Sequence, residues 1–124
     1  MGFYAELLAA TVADRDRFSA TPVLRDGAGG RITRAEYLAF LGEAYHHVRH
    51  TVPLLMACGA RLPSRLEWLR SAVAEYIEEE LGHQEWILDD IRHAGGDPEH
   101  VREGQPTAAT ELMVAYAWDT VQRR

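Results

Sequence analysis

The chain reads as an all-α protein. Three observations predict this: apolar residues recur at three- and four-residue spacings through most of the sequence, no stretch alternates apolar and polar residues between hairpin turns, and cap signals punctuate the periodic runs. Four helices follow. The first is expected over about residues 3–18, where Tyr4, Leu7, Leu8, Thr11, Val12 and Arg15 share a face. Pro22 and the Asp26-Gly27-Ala28-Gly29-Gly30 run then predict a flexible connection. A second helix, about 33–58, opens on Thr33-Arg34-Ala35-Glu36, in which threonine oxygen and glutamate carboxylate can each satisfy a backbone donor of the first turn. Pro53 should bend it, because proline removes one hydrogen bond and crowds the preceding turn. A third helix, about 64–93, begins at a second capping box, Ser64-Arg65-Leu66-Glu67, and stops at Gly95-Gly96. Asp97 to Pro106 reads as a polar loop, and a fourth helix covers about 107–123 with Leu112, Met113, Tyr116 and Val121 near one face.

With 124 residues, 47% of them apolar, the chain is expected to fold as one small helical domain with a modest core. It carries 13 basic and 19 acidic residues, and every basic one is arginine. This acidic balance disfavours nucleic acid as a partner, since that partner calls for a basic patch. Apolar runs are short and the first residues lack a basic segment followed by an apolar core, so neither a membrane span nor a secretion signal is expected and the cytoplasm is the expected compartment. Cys58, the single cysteine, rules out an intrachain disulfide and a cysteine-based zinc knot, and Ala57-Cys58-Gly59-Ala60 suits a small packed thiol. No serine elbow suggests a nucleophilic triad.

The third helix carries polar residues where apolar ones belong. Alternating steps of three and four select Leu66, Leu69, Val73, Tyr76, Glu80, His83, Ile87 and Asp90, so its inward stripe holds a carboxylate and an imidazole. Burying a carboxylate without a partner is costly, and a cation is the usual remedy. Glu80-Leu81-Gly82-His83 is also a Glu-x-x-His step, the arrangement by which carboxylate-bridged di-iron and di-manganese bundles present ligands from one helix. In the second helix, Leu38, Leu41, Tyr45, Val48, Val52 and Leu55 form one apolar row, and Phe40, Glu43, His47, His50 and Leu54 form another. Glu43 and His50 lie two turns apart on that second row, and oxygen with imidazole nitrogen suits iron, manganese or zinc. Simpler readings compete. Glu78 and Glu79 read as a solvated acidic run, and His46 and His47, being adjacent, cannot both face one site. His50 has a second reading as a hydrogen-bonded core histidine, while Tyr45, Tyr76 and Trp86 read as packing. Whether His47 or Glu79 joins the site stays open, and His93 and His100 carry no ligand role.

These segments resemble a known family. Tyr37 to Leu55, containing Glu43 and His50, then Glu78 to Leu88, containing Glu80, His83 and Trp86, then Ala94-Gly95-Gly96-Asp97-Pro98, look like the haem-oxygenase-like di-iron oxidases, also called iron-containing redox enzymes. Thiaminase-II-like (TenA) proteins and pyrroloquinoline-quinone synthase are related to them in fold. The resemblance implies a haem-oxygenase-like helical bundle with Glu43, His50, Glu80 and His83 at metal-ligand positions. It further implies two iron ions, with manganese as the alternative metal, and oxidation of a small organic molecule by dioxygen. Such proteins extend into later helices that bring more histidine and acidic ligands, so the chain is expected to be the N-terminal part of a longer, here incomplete, bundle, inactive alone. A second expectation is that two copies pair and lend each other ligands, because a half-bundle would expose its inner faces; a homo-oligomer follows. Two rival functions remain: a metal-free, TenA-like protein handling an organic cofactor, and an oligomeric ferritin-like metal-binding module.

Overall fold

A computed structural model describes residues 2–123. Among them it shows helices and turns with no strand: α1 Phe3–Ala10, α2 Val12–Ser19, α3 Pro22–Ala28, α4 Arg34–Val48, α5 Thr51–Arg61, a 3-10 turn at Ser64–Leu66, α6 Glu67–Glu80, α7 His83–His93, α8 Pro98–Glu103 and α9 Ala108–Arg123. The all-α expectation holds. The chain divides into two compact units, Met1–Glu36 and Tyr37–Arg124.

In the first unit the expected single helix is two. The break falls at Thr11, whose hydroxyl donates to the Leu7 carbonyl at 2.8 Å, while Arg15 donates to the Leu8 carbonyl at 2.9 Å and to the Thr11 hydroxyl at 2.6 Å. Side chains here compete with the backbone for its own acceptors, which loosens the turn. The expected flexible connection is partly α3, because Pro22 at the first helical position has its dihedral angle already set for a helix. None of α1, α2 or α3 contains a buried residue. The Thr33–Glu36 box forms as expected: the Thr33 amide donates to Glu36 Oε2 at 2.7 Å, and the Glu36 amide donates to Thr33 Oγ1 at 3.2 Å.

The second unit holds the core. Leu41 and Tyr45 of α4 meet Leu88 and Ile91 of α7, with Leu38, Ile87 and Val101 packed around them. Leu88 and Ile91 are each 1% exposed. Around this core α8 packs on α7, while α5 packs on α6 and α9. Gly59 lets α5 and α6 approach closely, since a Cβ there would stand 3.3 Å from Val73 Cγ1. Arg70 of α6 donates to the Gly59 carbonyl at 2.9 Å and to the Leu62 carbonyl, closing acceptors that the end of α5 leaves open.

Three long-helix expectations are corrected. The second helix does not bend at Pro53; it ends at Val48 and restarts at Thr51. Pro53 has no N–H for the Arg49 carbonyl, so the break falls one turn earlier and proline sits in the first turn of α5, where no such bond is needed. The third helix breaks at Leu81-Gly82, with Gly82 at φ +89°, a left-handed conformation that glycine adopts without strain. Its expected start at Ser64 is a 3-10 turn without a side-chain cap. The expected polar loop contains α8, since Asp97 Oδ1 accepts from the amides of Glu99 and His100 at 3.0 and 3.2 Å and Pro98 follows at the first helical position. Arg102 ties α8 to α7 through two bonds to the Glu85 carboxylate at 3.2 and 2.9 Å, and its guanidinium holds that carboxyl below the usual range. The stop at Gly95-Gly96 forms as expected: Gly95 has φ +77°, and the Gly96 amide returns to the Ile91 carbonyl at 2.8 Å.

Candidate functional site

The break between α6 and α7 places Glu80 on the last residue of one helix and His83 on the first of the next. His83 Nδ1 lies 3.0 Å from Glu80 Oε2. The Glu80 side chain is 17% exposed and that of His83 30%, half-buried as the stripe predicts. An ionised carboxylate can only accept, so in this bond Nδ1 donates, and the tautomer with its proton on Nδ1 has its lone pair on Nε2. A carboxylate on one imidazole nitrogen, leaving the other free, is how proteins orient a histidine toward a metal.

Two aromatic rings bracket the pair. Trp86 lies against His83, with centroids 4.4 Å apart and planes tilted by 40°. Tyr76 hydrogen-bonds Glu80, and its hydroxyl is pushed above its usual value first by the Glu80 charge and then by that bond. Both rings are exposed, Tyr76 by 47% and Trp86 by 63%. That corrects the reading of these two as packing residues, whereas Tyr45 does lie in the core. Past Gly82 the helical phase is reset, so Asp90, placed on the inward stripe by counting through, is exposed. Glu78 and Glu79 are exposed as well.

Glu43 is employed elsewhere. Its carboxylate accepts from the Thr107 amide at 3.1 and 3.2 Å, from the Thr107 hydroxyl at 2.8 Å and from the Thr110 hydroxyl, so it anchors the N-terminal turn of α9 onto α4. Burial raises its pKa, yet the bonds from Thr110 and Thr107 together outweigh burial and hold the carboxyl below its usual range. His50 sits at the α4–α5 break, where its Nδ1 accepts from Trp118 Nε1–H at 3.3 Å. Burial first, then the neighbouring Arg49, His47 and His46, holds it below the ordinary imidazole value. A neutral ring that accepts at Nδ1 carries its proton on Nε2, so as placed His50 presents no free lone pair. His46 is buried beside Tyr45, and His47 is exposed.

The structure therefore brings Glu80 and His83 together and engages Glu43 and His50 with α9. Among the described residues no group of three or more His, Cys, Asp or Glu side chains could hold a metal ion. The chemistry of the donors fits iron, but the number that one chain gathers does not. A groove of about 450 Å³ lies beside Glu43, between α4, α8 and Thr107, and a smaller cavity of about 230 Å³ lies beside His50. Neither of these two is lined by Glu80 or His83. Thr107, Thr110 and Trp118, which fix Glu43 and His50, were not singled out by sequence reasoning; their partners lie more than sixty residues away, and no local spacing signals them.

A family model described as iron-containing redox enzyme matches residues 38–124, and the chain belongs to that family, with its haem-oxygenase-like fold. No curated protein and no solved structure matches the chain. Among the described residues no helix is long and apolar enough to cross a membrane.

Proposed function

We propose that this chain belongs to a non-haem iron oxidase or oxygenase in which Glu80 and His83 supply metal ligands, with two iron ions in the complete centre and a small organic molecule and dioxygen as substrates. The observation that carries the reading is the half-buried Glu80–His83 pair at the α6–α7 break, with His83 Nδ1 tied to the carboxylate and Nε2 left as a donor. Membership of a family of iron-containing redox enzymes supports the redox assignment. Glu43 and His50 belong to the same proposed donor set, and recruiting them requires release from Thr107 and Thr110 and from Trp118. Glu80 and His83 already stand beside one another, so they are the donors to test first.

Anaerobic loading with ferrous iron, followed by desalting and metal analysis, tests the assignment. Glu80→Ala and His83→Ala are each expected to reduce retained iron at least tenfold, the equivalent of about 1.4 kcal/mol or more of binding energy. Glu78→Ala, at an exposed site, should leave retention unchanged. Equal retention in wild type and both ligand variants would remove Glu80 and His83 from the metal site.

A further inference from the structure

We propose that His46, Arg49 and Glu111 form a binding site for a free α-amino acid with an apolar side chain, its charged head in the smaller cavity and its side chain in the larger groove beside Gly42. None of the three is a proposed metal donor, so the inference stands apart from the iron reading. It starts from His46, which is only 6% exposed and has no hydrogen-bond partner among the described residues. Its ring meets that of Tyr45 instead, with centroids 5.4 Å apart and planes at 69°. A neutral imidazole brings one donor and one acceptor, and buried polar groups are ordinarily paired. Among the described residues no fully enclosed side-chain nitrogen or oxygen lacks a partner, so the bare polar edge of His46 is the part that reaches open space. That space lies on two sides, because His46 lines both the groove of about 450 Å³ and the cavity of about 230 Å³.

The two spaces differ in chemistry. The smaller is lined by charges of both signs, the Arg49 guanidinium and the Glu111 carboxylate. No ion pair joins either of them to the other or to another described residue; Arg49 lies 5.8 Å from the centre of the Tyr45 ring, and its charge acts on both His46 and His50. A cation and an anion held apart in one cavity match a molecule that carries both charges a few bonds apart, its carboxylate toward Arg49 and its ammonium toward Glu111. Peptide ends carry one charge each, and simple acids or amines likewise satisfy only half of the site. The larger space offers Leu38, Ala39, Gly42 and Val101 as an apolar wall. Glu43 also lines it, but its oxygens are already engaged by Thr107 and Thr110. Gly42 keeps the wall open, because a Cβ there would stand 4.0 Å from Val101 Cγ2 and a longer side chain would grow into the groove.

Calorimetric titration of the whole chain with L-leucine, in chelator so that no metal takes part, tests the site. Saturable binding of one molecule per chain is expected. Isocaproate, which lacks the amine, and isopentylamine, which lacks the carboxylate, should each bind at least about tenfold more weakly, the loss of a hydrogen bond to a charged group. L-leucine should weaken by a similar factor in Arg49→Gln and in Glu111→Gln. Both positions are exposed, so the helical circular dichroism of these variants should match wild type. Gly42→Leu, which fills the groove from a helix, should weaken L-leucine as well. Absence of saturable binding, or isocaproate bound as tightly as L-leucine, overturns the amino-acid site. Undiminished binding in both Arg49→Gln and Glu111→Gln overturns its location. Because metal is absent throughout, every one of these results leaves the Glu80 and His83 assignment where the iron measurement puts it.

Discussion

Leu88→Ala is expected to destabilise the second unit by about 2–5 kcal/mol, the range for truncating a fully buried leucine whose cavity closes only in part. The cost is large because the core is small: among the described residues Leu88 and Ile91, each 1% exposed, meet Leu41 and Tyr45 as the other buried large apolar side chains. Against a total stability of about 5–15 kcal/mol for an ordinary domain, such a loss puts a sizeable unfolded fraction within reach. A thermal melt followed by circular dichroism should show a fall of about 10–30 °C. Leu112→Ala serves as the control, because the same chemistry at an exposed position should change stability by no more than about 0.5 kcal/mol. Similar melting shifts for the two variants would mean that α4 and α7 do not form the stabilising core.

The second expected result concerns Glu43. Glu43→Ala removes a carboxylate that accepts from an amide and two hydroxyls at the start of α9, and should cost about 1.5–3 kcal/mol, the range for hydrogen bonds to a charged group. Its pKa gives the loss a direction in pH. A carboxyl held below its unfolded value contributes stability that is fully present above that value and is lost as pH falls through the folded value. The Glu43 contribution is therefore intact above about pH 4.5 and disappears only below it. His46 and His50, both held below the ordinary imidazole value, add loss of the same sign beginning nearer pH 6.5. Protection of the α9 amides from hydrogen exchange, corrected for the intrinsic pH dependence of exchange, should fall in both windows for wild type, while Glu43→Gln removes the lower step and keeps the upper one. A lower step unchanged in Glu43→Gln would assign it to other carboxylates.

The fold was legible where one local rule was enough. Thr33 and Glu36 sit three residues apart, and Gly95-Gly96 follow the last periodic residue, so those ends could be read from a few side chains. Breaks inside the long helices were harder to place. Periodicity runs through Arg49-His50 and Leu81-Gly82 almost undisturbed, and the decisive facts are a missing proline donor one turn on and a glycine turned to positive φ. Thr11 is subtler still, since its break depends on hydroxyl and guanidinium bonds that spacing does not display. Within the site, Glu80 and His83 could be found because a carboxylate and an imidazole stood in an apolar stripe. The surroundings of Glu43 and His50 could not, because α9 returns to α4 and α5 from far along the chain. In α9 the grouping of Leu112, Met113 and Tyr116 did not say which way they face: they are exposed, while Thr110 is buried.

Gly82 changes what the Glu-x-x-His step means. On an unbroken helix the distance between its two donors would be fixed by helical geometry, and the intervening residues would be free to vary. Here the two proposed donors stand on opposite sides of a corner, so the corner residue sets the spacing of the pair. Any side chain at position 82 must adopt a backbone conformation that favours glycine, although nothing lies within 4 Å of where its Cβ would stand. Sequence drift there would therefore alter the aim of the donors while leaving the donors themselves untouched, and a match that scores only glutamate and histidine would not register it.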